Sequence, residues 1–334
     1  MKLQHTLLGL ILAVTTTASS DENLWLYTKG TDTRPANSWE LKLKEMSRLG
    51  KDSGDYIFND IRPAVEYGVT DRLTLGASVM IFDHHYSDVE WAPMVDTQGG
   101  PGGSFDKTQY GGFEVMAKYM ILSPYKNFVG LSVGFAYENR QVYRLDGAEI
   151  EQDSYVPMIF LQKNWLDNTL TWSFTGKMEL ERRTSPGVLE EEIAFDLATG
   201  LSYRVAPNWF VGIEARWQSD FLSPEVDGNP PEGRPSSWDV GNMQLGDQFQ
   251  QGLYVGPSVH HSGRNWWITV GALYQVWGWS ADGAAASRKG KDWDEHERVH
   301  VGFILGFEFG GGGDDEKVPE ISRAKSPVHF TSSK

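Results

Sequence analysis

The sequence predicts an all-β protein: a twelve-stranded antiparallel transmembrane β-barrel, its strands following one another as an up-and-down meander. Three observations predict it. Twelve segments alternate apolar and polar residues with period two. The connections between them alternate between short and long. Aromatic side chains sit beside the short connections. Strands tilted across a bilayer give this combination, with short turns at one surface, long loops at the other and amphipathic rings at headgroup level.

Residues 1–20 read as a signal peptide. Lys2 gives a basic start, Leu7 to Val14 an apolar stretch, and Thr15 to Ser20 the small residues that a signal peptidase needs. Cleavage is expected near Ala18 to Ser20. No cysteine follows the apolar stretch, so a lipoprotein anchor is not expected. Residues 21–36 are expected to form an N-terminal periplasmic segment, 37–309 the barrel, and 310–334 a disordered, Gly-rich periplasmic tail.

The remaining composition narrows the class. Mean hydropathy is −0.41, and the most apolar stretch, 266–279, is short and interrupted by Gly271. A bundle of membrane helices is therefore excluded. The chain has no cysteine, so disulfides contribute nothing in an oxidising compartment. A formal net charge of −15 argues against nucleic-acid binding, which requires a basic face. The 36 glycines and 13 tryptophans fit tilted strands that need small residues where they crowd and aromatics at the interfaces.

The alternation places strands at 39–44, 56–69, 73–86, 109–122, 128–142, 154–165, 170–181, 191–203, 209–219, 248–259, 266–277 and 298–309. Most match or slightly exceed the ~9–11 residues that a tilted span requires. Short turns fall at 70–72, 123–127, 166–169, 204–208 and 260–265. Longer loops fall at 47–55, 87–108, 143–153, 182–190, 220–247 and 278–297. In 170–181 the outward row is Leu170, Trp172, Phe174, Met178 and Leu180, with Thr171, Ser173, Thr175 and Lys177 inward. The last segment is equally regular, except that Ile304 falls in the inward row. Segments 154–165 and 248–259 alternate poorly and leave their faces open. Tyr67, Tyr125, Phe128, Trp165, Tyr203, Trp209 and Trp266 should form a girdle beside the short turns, and Phe82, Tyr137, Trp217 and Trp277 one at the opposite rim. Residues 300–307 (HVGFILGF) carry a pattern resembling the signal read by barrel-assembly machinery.

A family resemblance rests on 37–79. Its residues are Trp39-Glu40, Gly50-Lys51 and the run Glu66-Tyr67-Gly68-Val69-Thr70-Asp71-Arg72-Leu73. This stretch resembles a family of outer-membrane barrels of unknown function. The resemblance implies a barrel and carries over no catalytic or binding residue.

Function is therefore read from the lumen. The inward acids are Glu40, Asp60, Glu66, Glu114, Glu138, Glu179, Glu181, Glu192, Asp196, Glu214 and Glu308. The inward bases are Lys42, Lys44, Arg62, Lys118, Arg140, Lys177, Arg204, Arg216 and Arg298. The signs nearly balance. Such rows either form salt-bridge ladders that fill a narrow lumen or set a field that orients a polar solute. The leading expectation is a narrow pore or facilitator for small solutes in the outer membrane of a Gram-negative cell, with 87–108 and 220–247 as gates. The alternative is a closed structural barrel that binds lipopolysaccharide or a periplasmic partner. Outer-membrane lipid, lipopolysaccharide and the assembly machinery are the expected partners, and no cofactor is expected.

An enzyme is not expected. His260-His261-Ser262 lies on a short turn, adjacent strand residues face apart, and no G-x-S-x-G is present. Two clusters, Asp83-His84-His85 with Asp88 and Asp292/Asp294/Glu295/His296, lack regular ligand spacing and are not taken as metal sites.

Overall fold

A computed structural model of the chain describes residues 23–90, 103–185, 188–222, 245–281 and 290–310. The expected signal peptide and the tail beyond Gly310 lie outside the described residues, as do the middles of the loops 87–108 and 220–247. Among the described residues there are twelve strands: β1 (Ser38–Leu49), β2 (Asp55–Thr70), β3 (Leu73–Ser87), β4 (Ser104–Leu122), β5 (Gly130–Val142), β6 (Glu149–Trp165), β7 (Leu170–Ser185), β8 (Val188–Ala206), β9 (Trp209–Leu222), β10 (Gln248–Ser262), β11 (Trp266–Ser280) and β12 (Val299–Gly310). Each pairs antiparallel with its neighbour in sequence, and β1 pairs with β12 from Ser38↔Gly310 to Leu49↔Val299. The sheet is thus closed and has no open edge. That is the condition for a sheet to cross lipid with every ladder hydrogen bond made.

Period two decides the faces. On β1, Trp39, Leu41 and Leu43 are exposed outward, and Glu40 is buried inward. On β7, Thr171, Ser173 and Thr175 are buried inward. On β12, Ile304 is buried inside the lumen as its row requires. The two ambiguous segments are now resolved. β6 turns Gln152, Ser154, Val156, Phe160 and Gln162 inward, and β10 turns Tyr254, Ser258 and His260 inward. Their alternation is poor because their inward rows mix apolar and polar side chains. Phe160 lies beneath the Lys118 ammonium, and Tyr254 stacks on His300.

The short turns hold as expected. In the turn between β6 and β7, Leu166, Asp167 and Asn168 all adopt left-handed backbone (φ 53°, 53° and 60°). Asp and Asn tolerate that region better than other side-chain-bearing residues. Around this end Tyr125, Phe128, Trp165, Tyr203, Trp209 and Trp266 are exposed outward, forming the expected girdle.

Elsewhere the structure departs from expectation in three ways. First, strands run past the hydrophobic band. β7 and β8 stay paired to Ser185↔Val188, so 182–185 and 188–190 are strand, with Arg182–Glu191 and Arg183–Glu190 ion pairs. Second, Phe82 is fully buried in the lumen with Tyr56, Phe58, Met80 and Tyr86, because it belongs to the inward row of β3. Third, residues 23–36 do not stand apart from the barrel as a periplasmic segment. They cross the lumen at the short-turn end, and Leu24, Trp25 and Leu26 are almost fully buried there.

Candidate functional site: a charged chamber in the lumen

The floor of the site is the segment 23–36, and its anchors are inward side chains from around the wall. The backbone N–H groups of Leu26, Tyr27 and Thr28 all donate to the Glu214 carboxylate, at 3.1, 2.9 and 2.5 Å. Lys29 N–H donates to Thr175 Oγ1 at 2.7 Å, and Thr31 N–H to Gln162 Oε1 at 2.7 Å. Lys118 Nζ donates to the Gly30 carbonyl and Ser132 Oγ to the Thr31 carbonyl. Arg34 pairs with Glu308 at 2.6 Å and with Glu40 at 3.4 Å. Glu40 also accepts from Trp267 Nε1. An extended segment has no backbone partners of its own, so inside a protein the wall must supply them.

The motif of the family resemblance docks the same segment. Asn37 N–H donates to the Gly68 carbonyl, and Ala36 N–H to Asp71 Oδ1. A Cβ on Gly68 would sit 1.9 Å from the Pro35 carbonyl oxygen, so only glycine lets the segment pass. Trp25 uses a similar gap, lying against Gly200 and Gly212.

The opposite mouth is narrowed by two loops. Tyr56 and Tyr86 hydroxyls donate to the carbonyls of Leu145 and Asp146. Lys51, fully buried, donates to the carbonyls of Glu295 and His296 and lies 3.4 Å from Glu297. Gly50, at φ 76°, makes the left-handed turn that sends Lys51 inward. Burial drives the Asp292 carboxyl up to about 8 and His296 down to about 3. Both shifts favour the uncharged form at neutral pH.

Between floor and mouth lies a cavity of about 280 Å³. Lys42, Lys44, Asp60, Arg62, Glu66, Glu114, Lys177, Glu179, Glu181, Asp196 and Arg216 line it, as does Glu138. Glu40, Lys118, Glu214 and Glu308 do not, because the segment 23–36 occupies them. The wall is cross-braced at Glu138. Its carboxylate receives Arg62 Nη1 at 3.2 Å, Arg140 Nε at 2.9 Å and Arg144 Nη2 at 2.9 Å. Arg140 continues to Glu179 at 3.2 Å. Arg62 also holds Asp60, and Lys42 holds Glu66. Across the lumen Arg216 binds Asp196 through two nitrogens, at 2.9 and 3.0 Å.

Sequence reasoning missed Tyr27, Lys29, Arg34, Lys51 and Arg144. The run Leu24-Trp25-Leu26-Tyr27 was the available signal, since four apolar residues outside the strands need somewhere to be buried. Other candidates disperse. His84 points inward against Phe58, and Asp83 and His85 point outward. Among the described residues no group of three or more His, Asp or Glu is placed to hold a metal. His260 and His261 turn to opposite faces, against Phe210 and Trp209.

Comparison with solved structures places the fold. An outer membrane channel from Pseudomonas putida F1, COG4313, is similar over 84% of this chain and 98% of its own, with a TM-score of 0.55 at 11% identity. The KdgM porin in complex with disordered oligogalacturonate covers 81% of this chain and 99% of its own, at TM-score 0.40 and 10% identity. The NanC porin does the same at 0.44 and 8%. No curated protein matches the sequence. One family pattern spans residues 17–309, nearly all of the barrel and its inserted segment, and the chain belongs to that family, DUF6662, a family of unknown function.

Proposed function

We propose that this barrel is an outer-membrane channel for small polar solutes, held shut at rest from its short-turn, periplasmic end by residues 23–36. The observation that carries this reading is the chamber: a cavity inside the barrel, lined by charges of both signs, with a floor that is a separate segment. A lumen built only for stability could be filled by side chains from the wall, as smaller barrels are. Here the chain inserts its own N-terminal segment instead. Glu179, Glu181 and Arg216 would then set selectivity. The outward apolar rows and the aromatic girdle support residence in the outer membrane. Lipopolysaccharide at the long-loop rim and the assembly machinery at β12 are its proposed partners.

Single-channel recording in planar bilayers tests this. The native chain should give rare, small steps. Glu214→Gln should raise open probability at least about tenfold, since each hydrogen bond to a charged acceptor contributes roughly 1.5–3 kcal/mol. Neutralising Glu179 or Arg216 should shift ion selectivity in opposite directions.

A second reading is favoured by the number of anchors on 23–36. Wall residues of nearly every strand bond to it, and a permanently closed barrel would serve as a platform for lipopolysaccharide or a periplasmic partner. Silence of both the native chain and Glu214→Gln in correctly inserted barrels would select it.

A further inference from the structure

The charges facing the chamber are not mixed evenly. Near the floor stand Lys44 of β1, Lys177 of β7 and Arg216 of β9. Among the described residues Lys44 Nζ has no carboxylate within 4.0 Å, and its contact is the Tyr27 ring at 4.8 Å. Lys177 reaches Asp196 only at 3.9 Å, and Asp196 is already held by Arg216. Arg216 is 4% exposed, and its Nη1 has no hydrogen-bond partner. Within 4.0 Å the three cations have one carboxylate, Asp196, between them.

Nearer the mouth the imbalance reverses. Glu181 stands directly across from Glu192 in the β7–β8 ladder, and Asp220 of β9 completes the group across from Ala194. Like charges set opposite one another repel unless a cation or a shared proton lies between them. Gln152 and Gln250 donate to Glu181 and Asp220, but amides add no charge. The nearest guanidinium, Arg140, is 3.7 Å from Glu181 and also serves Glu138 and Glu179.

We infer that the chamber binds a small zwitterion of the α-amino acid class. Its carboxylate is received by Lys44, Lys177 and Arg216, and its ammonium by Glu181, Glu192 and Asp220. The inference rests on reading the lumen as a solute path and names the solute. Lys177 to Glu181 and Arg216 to Asp220 are each four residues along a strand, about 13 Å between Cα levels. Long side chains that lean together on a bound solute would shorten that to the roughly 8–9 Å that an amino acid with an ion contact at each end spans. The cavity of about 280 Å³ is large enough to contain it. A simple anion would satisfy the floor and be repelled at the mouth. A simple cation would meet the reverse. Only a dipolar solute is stabilised at both poles.

Titration calorimetry on the full chain in detergent micelles tests this without requiring conduction. The probes are L-alanine, acetate and methylammonium. Alanine should bind at least about tenfold more tightly than either half-probe. Lys44→Met should weaken alanine and acetate, and Glu181→Gln should weaken alanine and methylammonium, with folding checked by heat-modifiable gel mobility. Acetate binding as tightly as alanine, with Glu181→Gln indifferent, would overturn the zwitterion in favour of a plain anion site. Absence of alanine binding both in the native chain and in Glu214→Gln, whose floor is loosened, would overturn the site altogether. Channel recordings stand apart: alanine binding by a non-conducting barrel would sink the transport reading and leave the chamber as a binding site.

Discussion

Glu138 shows how a single carboxylate can organise a lumen. It receives guanidinium groups from Arg62, Arg140 and Arg144, which tie β2, β5 and the loop 143–148 together. Removing the shared partner of a buried ion cluster leaves three desolvated guanidiniums short of an acceptor, although Arg62 keeps Asp60 and Arg140 keeps Glu179. Glu138→Ala should therefore destabilise the barrel by about 3–5 kcal/mol, read as a lowered urea midpoint for refolding into vesicles. Gly68 acts through space rather than charge. Gly68→Val places carbon where the Pro35 carbonyl passes, so the segment must leave its groove. The expected readout is trypsin cleavage after Lys29, rapid in the variant and slow in the native chain. Equal protection in both would mean that the segment is not docked at Gly68.

Elements are set by period two, and the lipid face follows from it. Ile213 of β9 is 55% exposed in the middle of the outward band. Ile213→Arg should cost about 2–4 kcal/mol if that position faces the bilayer midplane. Toward the long-loop rim the outward row turns polar. Ser47, Asn59, Asp83 and Thr108 face one another across β1 to β4, linked by hydrogen bonds. This row marks where the strands leave the hydrocarbon. Asp83→Arg should consequently cost much less than Ile213→Arg in the same vesicle-unfolding measurement. The same emergence explains why 182–185 and 188–190 remain strand: above the lipid, the mostly buried Arg182–Glu191 and Arg183–Glu190 pairs brace the two strands against each other.

At the scale of the whole molecule the lumen is obstructed at its two ends by different means. The floor is polar backbone bonded to the wall. The overhang at the mouth contains Asp292, whose carboxyl keeps its proton up to about 8 because burial, then the charge of Glu295, opposes ionisation. A raised carboxyl value means that the folded-in loop holds a proton the released loop gives up above its ordinary 3.8. The folded-in state is thus favoured most at low pH through this group, and loses that preference as pH rises toward about 8. His296, pushed down to about 3, acts only below its ordinary 6.5. Between about pH 6.5 and 8, then, Asp292 governs. Amide exchange of 290–298, corrected for intrinsic rate, should quicken over that interval, and Asp292→Asn should abolish the change. An unaltered pH response in the variant would remove Asp292 from this role.

Alternation and turn spacing determined the strand count, the closure and the inward or outward face of most strand residues, because a strand's faces follow from neighbours along the chain. Period two alone puts Lys44, Glu181 and Arg216 in the lumen. The aromatic cue misplaced Phe82, whose row points inward, because aromatic character alone does not distinguish a headgroup ring from one that fills a lumen. What surrounds an inward residue was not legible, because it depends on which of twelve strands reaches across and on what enters between them. Only the tertiary structure separated Glu214 and Glu308, which hold the segment 23–36, from Glu179 and Glu181, which face the chamber. All four are inward acids on β-strands. The difference lies in contacts nearly two hundred residues or more away along the chain, as between Glu214 and Thr28 or Glu308 and Arg34. Local periodicity fixes the direction in which a side chain points, and only closure of the barrel around its own N-terminal segment determines what it meets.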